Sequence, residues 1–152
     1  NAGGNSCGIS ELASAAITVE ELADDVAVPL IDKVRGRAVE IYVALKPGNK
    51  QSSVIEEKVS AAIEKLIGKI ARPKNVWIVP DMPKTRSGKI MRRVIAGISN
   101  FAGTGDITTL ANPEIVQTIL HHVQTEKVAR GDVPRELTAK ELEEIKAFGH
   151  AE

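Results

Sequence analysis

Apolar and polar positions alternate most cleanly over residues 37–45. Val39, Ile41, Val43 and Leu45 fall on one side and Glu40, Tyr42 and Ala44 on the other, which predicts a strand with one strongly apolar face. Pro47-Gly48-Asn49 ends it as a turn. Over residues 53–67 the spacing becomes helical: Ile55, Val59, Ala62, Ile63, Leu66 and Ile67 recur on one side. Ser53 and Glu56 have capping-box spacing, and Gly68 is a natural stop. Residues 75–79 read as a second apolar strand, closed by Pro80.

The flanking segments carry weaker signals. Residues 10–18 predict a short helix capped by Ser10, with Leu12, Ala15 and Ala16 on one side. Residues 25–30 suggest a short strand that Pro29 confines to an edge or an end, after an acidic, solvated turn of Glu20, Glu21, Asp24 and Asp25. Residues 81–88 form a polar loop, and a helix is expected over 89–99 with Ile90, Val94, Ile95 and Ile98 facing inward. After a loop at 101–111, Asn112-Pro113-Glu114 supplies a cap, a proline and an acid, the start of a helix reaching residue 127. Residues 130–135 read as a linker, and Thr138 with Glu141 caps a last, polar helix to residue 147. Short strands interleaved with amphipathic helices make an α+β layer architecture.

Composition narrows the function classes. In 152 residues, 20 basic side chains balance 20 acidic ones, so bulk charge points to neither nucleic acid nor membrane. Aromatics are 3% of the chain, too few for a base-stacking platform. No run approaches the ~20 apolar residues that span a bilayer. The one cysteine, Cys7, has no partner for an internal disulfide and fits a reducing, cytoplasmic setting. The first residues lack the basic and apolar regions of a signal peptide, and the chain starts without Met, which suggests a piece of a longer protein. His121 and His122 point about 100° apart on a helix and do not form a metal pair. Trp77 reads as core.

Chemistry concentrates in one loop. Lys84, Arg86, Lys89, Arg92 and Arg93 put five positive charges within ten residues, with no acid among them. Pro83 stiffens the approach, and Gly88 permits a sharp turn just before Lys89. At the expected start of a helix, Lys89 opposes the helix dipole, a placement suited to holding an anion. A solvated basic loop is the bland alternative. A Walker phosphate loop is rejected, because Ile90 follows Lys89 and the upstream glycine is missing.

Pro83-Lys84-Thr85-Arg86-Ser87-Gly88-Lys89-Ile90-Met91-Arg92-Arg93 resembles the C-terminal lysine motif of the adenylate-forming enzymes, in the wording of the short-chain acetyl-CoA and propionyl-CoA synthetases. Upstream, Glu11 to Leu45 is loosely similar to the family's helix, strand, glycine turn and strand, with Val34-Arg35-Gly36 at the turn. Downstream, Gly105-Asp106-Ile107-Thr108-Thr109-Leu110-Ala111-Asn112-Pro113 resembles the run that precedes a final helix in the same synthetases. The similarity covers residues 11–125. It implies a C-terminal domain with a small mixed sheet flanked by amphipathic helices. It also implies a domain layout: residues 1–10 as a starting tail or hinge remnant, 11–129 as the synthetase domain, and 130–152 as linker and tail helix. The tail runs past the family's usual end and leaves room for a further domain of a fused synthase, such as a propionyl-CoA synthase.

By the same resemblance, Lys89 is the catalytic lysine, and Thr85, Arg86, Ser87 and Gly88 are the residues that meet the nucleotide. ATP and CoA are the implied cofactors, with magnesium and most of the ATP and acyl sites held by an N-terminal adenylation domain of the same parent chain. A short-chain carboxylic acid is the substrate. The family lysine is a target of reversible acetylation, so a lysine acetyltransferase and a deacetylase are implied partners. In isolation the chain is expected to be inactive. Two features depart from the family pattern: residues 5–10 lack the hinge acid and the Gly-x-Arg loop, and Glu64, beside Lys65, stands where relatives carry a basic residue for the CoA phosphate. The rival reading, from another class, is a non-catalytic interaction module whose basic loop binds an anionic partner.

Overall fold

The computed structural model of the chain describes residues 8–32 and 36–149. Cys7, most of the expected hinge remnant and the Val34-Arg35 turn lie outside the described residues. The elements run α1 (Ile9–Ala16), β1 (Leu22–Asp32), β2 (Gly36–Leu45), α2 (Ser53–Leu66), a 3-10 turn (Lys69–Ala71), β3 (Asn75–Val79), α3 (Arg92–Asn100), α4 (Glu114–Ala129) and α5 (Ala139–Ala147). The strands form one mixed sheet in the order β1-β2-β3. β2 and β3 are parallel, with Ile41 opposite Val76 and Val43 opposite Ile78, so α2 is the crossover between them. The α+β expectation holds.

The chain divides into two compact units, Asn1–Ala27 with Val39–Pro80 and Val28–Ala38 with Asp81–Glu152. In the first, Leu12, Ala15 and Ala16 of α1 and Ile55, Val59 and Ile63 of α2 share a core with Ala27, Ile41, Val43 and Ile78 of the strands. The helical face expected of residues 53–67 is therefore the buried one, except at its end, where Leu66 is exposed. The expected polar side of β2 is a correction: Glu40, Tyr42 and Ala44 are buried too. A middle strand covered on both faces cannot show the alternation of a half-exposed one. The Glu40 carboxylate accepts from Asn75 Nδ2 at 2.6 Å, which offsets its loss of water.

Boundaries moved where a local signal competed with tertiary structure. α1 is capped by Gly8, whose N–H donates to Glu11 Oε1, and not by Ser10. α2 begins after Ser52 with no side-chain cap, so the Ser53–Glu56 box does not form. β1 spans 11 residues, starting three before the expected strand at residue 25, so Asp24 and Asp25 are half-buried strand positions and not part of a solvated acidic face. β1 lies at the sheet edge, as Pro29 requires.

In the second unit α3 packs on both α4 and α5. Val94, Ile95 and Ile98 meet a core that includes Val116, Ile119, Val123 and Ile145. Lys127 is only 1% exposed. Its Nζ donates to Ser99 O at 2.8 Å, and Gln124 Nε2 donates to Ile98 O at 3.0 Å. These α4 side chains serve carbonyls in the last turn of α3, where a cation suits the dipole. α5 starts with the predicted capping box of Thr138 and Glu141 and buries Ile145. Among the described residues no helix is long and apolar enough to cross a membrane.

Candidate active site: a lysine hairpin on a buried footing

The basic loop belongs to the second unit and begins on a fixed footing. Met82 is fully buried and Pro83 is buried beside it. From there the chain folds into a tight hairpin. Lys84 and Ile90 form an antiparallel bridge, and Met91 N–H donates to Pro83 O at 2.8 Å. Thr85 N–H donates to Lys89 O at 2.8 Å, and Gly88 N–H closes the turn onto Thr85 O at 2.9 Å. Gly88 has φ +91°, the left-handed region that only glycine adopts without strain, so the tip geometry is written into this residue. Thr85 Oγ1 accepts from Lys89 N–H at 3.2 Å and lies 3.0 Å from Ser87 Oγ.

This hairpin corrects the expected helix start. α3 begins at Arg92, after a non-helical Met91, so Lys89 sits on the hairpin and not on a helix N-terminus. Ile90, expected on the inner face of that helix, is a half-buried rung of the bridge. The clash with the dipole falls instead on Arg92 and Arg93, and for Arg93 the fold supplies acceptors. Its Nη1 donates to Thr104 O at 2.8 Å and its Nη2 to Asp106 O. Thr108 donates to the Asp106 carboxylate through its backbone N–H and hydroxyl, and with the nearby Arg93 holds that carboxyl below the usual range.

Arg86, Ser87, Gly88 and Lys89 are all exposed, and Thr85 is half-buried. The structure thus brings the five expected site residues together on one tip, with Lys89 exposed. The backbone N–H and C=O of Lys89 are both bonded to Thr85 across the hairpin. What sequence reasoning missed is the support. Residues 110–112 run alongside the hairpin: Thr85 and Leu110 form an antiparallel bridge, and Ala111 N–H donates to Lys84 O at 2.8 Å. Asn112, expected to cap α4, binds the hairpin's base with its side chain instead, while α4 starts after Pro113 with no side-chain cap. The Asn-Pro-Glu signal for a helix start masked that second use of the same residue.

The remaining candidates fall where packing puts them. Trp77 is buried in β3. His121 is exposed and His122 half-buried on α4. Among the described residues no three His, Cys, Asp or Glu side chains gather in a way that could hold a metal. Glu64 on α2 pairs with Arg72 at 3.7 Å, and Lys65 beside it is exposed.

Comparison with known proteins agrees with the geometry. The family model for the AMP-binding enzyme C-terminal domain matches residues 11–89, ending on the hairpin lysine. The acetyl-coenzyme A synthetase of Leptospira biflexa is 38% identical over 122 residues, covering 79% of this chain and 19% of that enzyme. Acetyl-coenzyme A synthetase 2 of Candida albicans is 40% identical over 124 residues, covering 79% and 18%. The chain therefore spans about a fifth of the length of the curated relatives it matches. Among solved structures, the acyl-CoA synthetase of Brucella canis matches with a TM-score of 0.54 at 27% identity, over 58% of this chain and 16% of that one. The acetoacetyl-CoA synthetase of Streptomyces lividans matches with a TM-score of 0.62 over 78% of this chain and 18% of that one; at 15% identity it speaks to the fold alone. These matches lend no support to a stand-alone anion-binding module.

Proposed function

Because this chain belongs to the AMP-binding enzyme C-terminal domain family, we propose that it is the mobile cap of an AMP-forming acyl-CoA ligase and that Lys89 carries its charge into the reaction. The parent enzyme would use ATP, CoA and a short-chain acid such as acetate or propionate; the relatives named acetyl-coenzyme A synthetase support that choice. Its N-terminal adenylation domain, the partner of this cap, would hold the magnesium, most of the ATP and the acid. Within the chain we take residues 11–129 as the synthetase domain and 130–152 as an added segment. The single cysteine supports a cytoplasmic setting.

The observation that carries the reading is an exposed lysine on a hairpin that backbone hydrogen bonds tie to a buried base. In the first half-reaction a carboxylate oxygen attacks the α-phosphorus of ATP, and pyrophosphate leaves with the electron pair of the broken P–O bond. Two anions must meet, and the Lys89 ammonium offsets their repulsion and the charge that builds on the transferring centre. A lysine suits this task as a compact point charge with three rotatable donors. Thr85, Arg86, Ser87 and Gly88 surround the nucleotide from the same tip, with Arg86 the second exposed cation. In the second half-reaction the CoA thiol attacks the acyl carbon and AMP leaves; Lys89 has no part in that step, and the cap presents a different face.

The test is made in the full-length enzyme. Lys89→Ala should lower acid-dependent ATP–pyrophosphate exchange by about 10²–10³-fold, the loss typical of one preorganised electrostatic donor. Thioester formation from supplied acyl-adenylate should stay near the starting rate. Equal loss of both half-reactions would refute the role. The same exposure supports Lys89 as an acetyltransferase substrate that a deacetylase restores, since acetylation removes the charge. Peptide mass mapping after treatment with acetyl-CoA and a lysine acetyltransferase should find Lys89 modified before other lysines, and an unmodified Lys89 would end that idea.

A further inference from the structure

Asn112 plays no part in the chemistry above, and its sequence context assigns it to a helix cap. Its side chain is engaged elsewhere. Oδ1 accepts from Lys84 N–H at 2.9 Å, Nδ2 donates to Met82 O at 2.8 Å, and Nδ2 lies 3.5 Å from Asp81 Oδ2. One residue earlier, Ala111 N–H donates to Lys84 O, so both backbone groups of Lys84 are held by residues 111–112. Leu110, whose backbone bridges to Thr85, is 2% exposed and pins the segment from its other side.

A two-stranded hairpin is marginal in water when nothing flanks it. Here the free edge of the residue 84–85 arm is covered by the 110–112 segment, and the anchor of that segment is the Asn112 carboxamide. The carboxamide acts as an inserted peptide unit, donating to residue 82 and accepting from residue 84. The angle at which the hairpin leaves Met82 is set there, and the position of the Lys89 ammonium follows from that angle.

We propose that Asn112 is a positioning residue for Lys89: by clamping Met82 and Lys84 it fixes the hairpin that aims the ammonium at the transferring phosphoryl centre. This rests on the reading of Lys89 given above. A misplacement of about 1 Å in a reacting array can cost about 10²-fold. Asn112→Ala keeps the flanking backbone bonds of Ala111 and Leu110, so a partial loss of about tenfold is expected.

The experiment uses the full-length synthetase and reads both half-reactions in four proteins: the parent, N112A, K89A and the double variant. N112A should lower the kcat of ATP–pyrophosphate exchange about tenfold, leaving the KM for ATP and thioester formation from supplied adenylate within about twofold. On the K89A background N112A should change exchange no further, because there is no ammonium left to aim. A residue that only holds the fold together would depress both half-reactions and would multiply the loss in the double variant; either result overturns the proposal. So does an N112A enzyme with unchanged exchange beside a K89A enzyme that has lost it, and that outcome leaves the reading of Lys89 standing. K89A with intact exchange overturns both. Should N112A fail to accumulate as folded protein, N112S, which keeps a hydroxyl at the site, is read against the same criteria.

Discussion

Asn100 offers the sharpest quantitative check on how α3 is held. β1 is an edge strand, and its outer side would present unpaired backbone groups. The Asn100 carboxamide serves two of them: Oδ1 accepts from Ile31 N–H at 2.8 Å, and Nδ2 donates to Pro29 O at 2.9 Å. Residues 29 and 31 project these groups to the same side of the strand, so the carboxamide stands in for a missing strand. Nδ2 also donates to Ala96 O at 2.8 Å, which ties the arrangement to the helix itself. Asn100 and Ile31 are each 1% exposed.

Asn100→Ala removes the donor and the acceptor together. Ala96 O keeps its helical partner, and the half-buried Pro29 O can reach water. Ile31 N–H cannot, and a buried orphan of this kind costs about 1–3 kcal/mol. The space left by the carboxamide adds a smaller amount, for a total of about 2–4 kcal/mol. That is a large share of the ~5–15 kcal/mol that stabilises a typical domain. With a urea m-value of about 2 kcal/mol/M, the midpoint followed by far-UV circular dichroism should fall by about 1–2 M. A fall of less than about 0.3 M at unchanged m would mean that Ile31 N–H finds water or another partner, and the strand-substitute account would fail.

Two further outcomes follow from geometry and charge. At Gly97, in the middle of α3, a methyl group would stand 2.0 Å from Gly103 O, on a loop that Arg93 holds through Thr104 O. Gly97→Ala should therefore lower Tm despite a gain in helix propensity of about 1 kcal/mol, because overpacking costs about 1–3 kcal/mol and the obstacle is backbone; an unchanged or higher Tm would show that the loop yields freely. On α5, the Arg135 guanidinium and the Thr138 N–H pull the Glu141 carboxyl from 4.5 down to about 2. A lowered folded-state value means that protonation favours the unfolded form, so the stabilisation is complete above pH ~4.5 and is lost as pH falls toward 2. The helical signal of the parent should exceed that of Glu141→Gln at pH 6 and match it near pH 2; a constant difference across that range would exclude the ion pair as its source.

What the sequence made legible was whatever depends on neighbours a few residues apart. The helical face of Ile55, Val59 and Ile63, the strand at residues 75–79, the Thr138–Glu141 box and the edge placement forced by Pro29 are all local statements, and all four appear in the fold. The lysine tip was legible for the same reason: the clustered cations and Gly88 lie within one short run. The misses share the opposite cause. Glu40 and Tyr42 are buried because both faces of β2 are covered, a consequence of tertiary packing that the alternation within residues 37–45 does not carry. α3 starts three residues later than its apolar spacing suggested because Lys84, a partner six residues back from Ile90, captures that residue into a bridge.

Asn112 shows why such cases resist reading from sequence. A carboxamide can serve either the first N–H groups of the helix that follows it or a backbone 28 residues earlier, and the letters Asn-Pro-Glu are the same for both. The choice is decided by what else is available. Pro113, whose backbone is already helical at φ −62°, takes the cap position itself, so Asn112 stands one residue outside the helix and the local use gains little. Lys84 N–H and Met82 O, at the base of a hairpin with an uncovered edge, have more to gain from the same side chain. A residue whose local role is dispensable is therefore the one free to be recruited at long range, and here that recruitment ends at the base of the loop that carries the lysine.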